Sequence, residues 1–169
     1  MLHRRFRRRM KEVDKNLFVG DIGNCFYYDK PGWAVVHTCK HPCHQEAVGY
    51  TGSLSNSHPN YLSMEKENHL FLNMADMVKM PLDKFIRPIL LTALDFIDKK
   101  IADHKVLIHC NKGQSRAPII ALLFLAKRRK AISNKSYEEA RKGFIKLYSN
   151  YQPGQGLENY LIKYWEGTR

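Results

Sequence analysis

Apolar residues recur at two periods along this chain, and the interleaving of the two sets its architecture. Short runs rich in β-branched and aromatic residues, at 17–20, 33–36, 69–74 and 106–108, read as strands. Leu82, Ile86, Ile89, Leu90, Ala93, Leu94, Ile97 and Ile101 recur on one helical face, which predicts a helix over 82–101. Residues 119–126 are apolar nearly all round, the pattern of a helix buried on every side, and the basic residues 127–130 suit its C-terminal dipole. Residues 138–148 are amphipathic, 152–156 break the chain with glycines, and 157–165 form a last helix. The stretches 24–32, with a Pro-Gly turn, 37–44, rich in His and Cys, and 49–60, rich in Gly, Ser and Asn, are connections. Strands interleaved with helices predict an α/β fold: one domain with a small mixed central sheet flanked by helices.

Length and composition agree with that picture. A chain of 169 residues, 44% hydrophobic, fits one domain with a real core. It has no apolar run long enough to span a membrane. Six of its 28 basic residues and none of its 16 acidic ones lie in residues 1–11. Residues 1–15 are therefore expected to form a basic arm, disordered or gripping an acidic partner or nucleic acid, ahead of a domain over 16–169. The arm lacks an apolar h-region, so it is not a secretory signal. Four cysteines (Cys25, Cys39, Cys43, Cys110) are too few for a dense disulfide framework.

The chemistry concentrates at one place. His109-Cys110-Asn111-Lys112-Gly113-Gln114-Ser115-Arg116 lies between the strand at 106–108 and the apolar helix. A turn leading into a helix N-terminus offers unpaired amides and the positive end of a dipole, which suit a phosphate dianion. The same field stabilises a thiolate, the nucleophilic form of cysteine. Arg116 supplies a planar fork that matches two phosphoryl oxygens. Gly113 lets the backbone approach the anion, and Pro118 fits a first helical turn.

On these residues the chain resembles the cysteine-dependent protein phosphatases, in particular the dual-specificity branch, whose His-Cys-x-x-Gly-x-x-Arg loop lies on the same strand–loop–helix. Residues 16–21, 93–98, 136–140 and 152–165 are similar to further elements of that family. The resemblance implies hydrolysis of phosphotyrosine, and of phosphoserine or phosphothreonine, through a phosphocysteine on Cys110. It implies phosphoryl binding by Arg116 and the loop residues Asn111, Lys112, Gly113, Gln114 and Ser115, with His109 ordering the loop. No cofactor is implied. The expected partner is a phosphorylated protein, and a thiolate nucleophile places the chain in a reducing compartment, the cytosol. RNA 5′-phosphates and phosphoinositides are alternative substrates at the same site, and a phosphate- or nucleic-acid-binding module without turnover is the non-enzymatic alternative.

Such chemistry needs a general acid. Asp76, following the third strand, is preferred to Asp83 at the start of the next helix and to Asp21. The family commonly places Ser or Thr after the arginine to assist phosphoenzyme breakdown; here that residue is Ala117, so breakdown is expected to be slow. A competing site is the crowd of His37, Cys39, His41, Cys43 and His44. Zinc favours these atoms, but four ligands from so short a run rarely enclose one ion, and nothing marks His58 or His69 as completing it. The expectation is a polar wall of the cleft and no metal.

Overall fold

A computed structural model of the chain describes residues 10–168. Six strands form one sheet: β1 (Lys11–Asp14), β2 (Leu17–Gly20), β3 (Trp33–His37), β4 (Ser63–Lys66), β5 (His69–Leu72) and β6 (Lys105–His109), in the order β1-β2-β6-β3-β5-β4. The inner four are parallel, and the two edge strands pair antiparallel to their neighbours. The mixed sheet and single α/β domain follow the sequence reading. Helices are α1 (Gln45–Val48), α2 (Asp83–Lys100), α3 (Arg116–Leu123), α4 (Tyr137–Leu147) and α5 (Gln155–Tyr164).

β1 and β4 depart from expectation. Their sequences, Lys-Glu-Val-Asp and Ser-Met-Glu-Lys, are short and mostly polar, so no alternation marks them. Residues 11–14, assigned above to the arm, therefore belong to the sheet, while the rest of the expected arm, 1–9, lies outside the described residues.

α3 is the buried central helix that its sequence predicts. Ala117 and every residue from Ile119 to Leu123 are fully buried. The helix begins earlier than expected, at Arg116, and continues through a wider turn, Phe124–Arg128. α2 buries Ile86, Ile89, Leu90, Ala93, Leu94 and Ile97 against the same core. Burial of an aliphatic side chain of this size contributes about 1.5–3 kcal/mol.

The two faces of the sheet differ. Period-two alternation sends Val106, Ile108, Ala34, Val36, Leu70 and Leu72 into the helix-covered core. The intervening positions, including His109, His37, His69 and Phe71, share the other face. That face is covered by connecting segments: Tyr27 stacks on His37 with ring centroids 5.4 Å apart, and His37 stacks on Phe71 at 4.3 Å.

Candidate active site

β6 ends at His109, and the chain turns through residues 110–115 into α3, as the sequence predicts. Protein donors hold the carbonyls of this turn. His109 O accepts from Thr38 N (2.9 Å) and Thr38 Oγ1 (2.7 Å), Asn111 O from Ile22 N (3.3 Å), Gly113 O from the Tyr148 hydroxyl (2.6 Å) and Gln114 O from Gln152 N (2.8 Å). Among the described residues, no protein acceptor takes the amides of residues 111–115. Ser115, the cap of α3, makes no side-chain hydrogen bond to the helix's first amides. Carbonyls tied down and amides left over are the arrangement of an anion nest.

A cleft of about 280 Å³ opens at this turn, lined by Asp76, Cys110, Asn111, Lys112, Gln114, Ser115, Arg116, Gln152 and Gly154. Cys110 is 2% exposed. Arg116 is held from three sides: Nη2 donates to Asn111 Oδ1 (2.7 Å), Nη1 donates to Met74 O (3.1 Å), and Nε lies 3.5 Å from Asp76 Oδ2. The last contact is an ion pair outside hydrogen-bond geometry, since Nε has no hydrogen-bond partner. A guanidinium fixed in this way loses little freedom when it meets an anion.

Asp76 enters the same cleft. Its Oδ1 accepts from Ser115 Oγ (2.8 Å), and Ser115 Oγ accepts from Gly154 N (2.8 Å). Gly154 is required by close approach: a Cβ there would lie 2.5 Å from Asp76 Oδ1. The glycine-containing break before α5 therefore serves the site, a role that no signal in the sequence assigned to it.

The structure separates the other carboxylates from this cleft. Asp83 accepts from the Tyr160 hydroxyl (2.6 Å) and pairs with Arg87 (2.9 Å), and these partners, Tyr160 first, lower its pKa. Asp21 caps the turn Ile22–Asn24 by accepting from Gly23 N. Gly113 has a second reason to be glycine. Its φ of +67° suits glycine, and a Cβ there would lie 3.0 Å from Gly20 O and 3.2 Å from the Tyr148 hydroxyl. Its smallness also seats the loop against β2. His109 is fully buried and does not line the cleft.

The hydroxyl that could replace the missing one at Ala117 is engaged elsewhere, because Ser115 directs its proton to Asp76. If Cys110 carries phosphate as the resemblance implies, rapid-quench mixing with an aryl phosphate should show a burst of released phenol, followed by a slower steady rate. A single linear phase would count against slow phosphoenzyme breakdown.

The His/Cys crowd divides. His44 bonds to Tyr50 (2.8 Å) and Asn60 O (2.8 Å), His41 to Gln45 (2.8 Å), and His58 to the amide of Asn60 (3.0 Å). His37 and Cys43 instead turn towards Cys25 and His109, two residues that the sequence reading had not joined to them.

No family model and no curated protein matches the chain. Solved structures do. The human tyrosine phosphatase-like serine/threonine/tyrosine-interacting protein superposes with a TM-score of 0.63 at 19% identity, covering 92% of this chain and 94% of that one. A variant of human DUSP28 gives 0.61 at 17%, covering 94% and 95%. PTPMT1, solved in complex with PI(5)P, gives 0.59 at 16%, covering 94% and 96%. With its sheet order, its buried central helix and these neighbours taken together, the chain has the fold of the dual-specificity, cysteine-dependent phosphatases.

Proposed function

We propose that this chain is a phosphatase that hydrolyses phosphotyrosine, and phosphoserine or phosphothreonine, in two steps on Cys110. In the first, Cys110 Sγ attacks phosphorus and an S–P bond forms. The ester P–O bond breaks, and Asp76 gives its proton to the leaving oxygen. In the second, water attacks the phosphocysteine and gives a proton to the Asp76 carboxylate. The S–P bond breaks, releasing inorganic phosphate and the thiolate. Arg116 and the loop amides hold the equatorial oxygens throughout, stabilising charge that spreads in the transition state.

The carrying observation is the convergence of Cys110, Arg116 and Asp76 in one cleft, over a loop whose amides have no protein acceptor among the described residues. An apolar groove of about 370 Å³, lined by Tyr61, Leu62, Met74, Met77 and Phe85 among others, adjoins Asp76 along the chain. Its aromatic and aliphatic lining is the support for an aromatic leaving group. Phosphoinositide is the second reading, because a protein of this fold is seen with PI(5)P. A reducing compartment, the cytosol, suits the thiolate chemistry. Among the described residues, no helix is long and apolar enough to cross a membrane.

Three substrates at matched concentration test the assignment. Phosphotyrosyl peptide should turn over fastest, ahead of inositol phospholipid and 5′-triphosphorylated RNA. Failure to hydrolyse any of them, and a simple aryl phosphate as well, would refute phosphatase activity. Preference for the lipid or RNA would reassign the substrate.

A further inference from the structure

A second cluster of reactive side chains lies behind the loop 110–115, on the sheet face opposite α2 and α3. The parallel register sets His37, last in β3, beside His109, last in β6. The segment after β2 brings Cys25, and the turn Lys40–His44 brings Cys43. One donor atom from each lies within 4.8 Å of every other.

We propose that Cys25 Sγ, His37 Nδ1, Cys43 Sγ and His109 Nε2 bind one zinc ion in a closed tetrahedral site. Zinc–sulfur bonds of about 2.3 Å and zinc–nitrogen bonds of about 2.0–2.1 Å place tetrahedral ligand atoms roughly 3.3–3.8 Å apart. Here Cys25 Sγ is 3.5 Å from His37 Nδ1, and Cys43 Sγ is 4.0 Å from His109 Nε2. The two imidazole nitrogens are 2.8 Å apart, so they would part by about half an ångström around an ion. Two thiols and two imidazoles are a set that zinc selects, and four protein ligands leave no open position, which marks a structural site. His37, Cys43 and His109 are fully buried.

Hydrogen bonding fixes the tautomer that such a site needs. Tyr28 O can only accept, so His69 Nε2 donates to it (3.1 Å). His69 Nδ1 is then an acceptor and takes a proton from His37 Nε2 (3.0 Å). His37 Nδ1 is therefore left with a bare lone pair facing the cluster. A histidine ligand whose far nitrogen is held in this way is the usual outer shell of a metal site. Without an ion, that lone pair takes the proton of His109 Nε2, and His109 Nδ1 is left buried with no hydrogen-bond partner. An ion on His109 Nε2 would shift that proton to Nδ1, the imidazole's other nitrogen. The Tyr27 hydroxyl donates to Cys43 Sγ (3.2 Å) and would support it as a thiolate.

Such an ion would tie four chain segments together one residue before Cys110. Its role is to hold His109 and the loop, not to touch phosphate. The site stands independently of the phosphatase reading, and so does its test. The full chain, made without a chelating tag and in zinc-supplemented medium, should contain one zinc per chain by elemental analysis. Cys43→Ser and Cys25→Ser should each lower that content at least tenfold, while His41→Ala, an exposed histidine in the same turn, should retain it. If the cysteine variants fail to fold, cobalt(II) exchanged into the unsubstituted protein gives a second readout. A tetrahedral thiolate site shows sulfur-to-cobalt charge transfer and intense ligand-field bands. Folded protein that takes up neither metal would overturn the proposal. So would a Cys25–Cys43 disulfide under reducing conditions, or zinc content unchanged in both cysteine variants.

Discussion

Cys110→Ser should lower kcat for an aryl phosphate by a factor on the order of 10⁶, the scale of loss when a covalent nucleophile is removed from a hydrolase. Serine nearly matches cysteine in size, and residue 110 is 2% exposed, so the substitution fits the packed site. The protein should keep its fold by circular dichroism. What disappears is the sulfur nucleophile, which a serine hydroxyl replaces poorly unless a base activates it. The amides of residues 111–115 and Arg116 remain, so the variant should still bind phosphotyrosyl peptide, and titration calorimetry would measure that. Turnover within tenfold of the unsubstituted protein would remove Cys110 from the mechanism.

Asp76→Asn should produce the second-largest effect, and one that depends on the leaving group. Asparagine can still accept from Ser115 Oγ through its carbonyl oxygen, so the local structure is kept. The proton donor is lost. Hydrolysis of phosphotyrosine, whose phenoxide leaves poorly without a proton, should slow by about 10²–10⁴. An activated aryl phosphate, which needs little help, should slow far less. Equal loss for both esters would give Asp76 a purely structural duty through Ser115 and Arg116.

Much of the fold was legible because burial imposes regular spacing. The one-sided stripe of α2 and the all-apolar run of α3 announced a surface helix and a central one. The strand–loop–helix at 109–116 was legible because a thiol, a glycine and a guanidinium sit within a few residues of each other between two strong elements. What escaped depends on contacts distant in sequence. β1 and β4 are held by pairing with a neighbour rather than by their own residues. The positioning of Asp76 requires Gly154, and no local pattern joins residues 76, 115 and 154. The Cys25, His37, Cys43 and His109 cluster exists only because β3 and β6 lie parallel and in register. The sequence reading weighed residues 37–44 with His58 or His69 to complete them, and did not join Cys25 or His109 to that run.

The outermost strand β4 bears on self-association. An open strand rim invites another chain to add on through its free amides and carbonyls. Here that rim is four residues long, its Glu65 and Lys66 are exposed, and it turns at once into Glu67 with φ +56°. Charge and brevity leave an incoming strand little to grip. On this side the sheet resists fibrous growth.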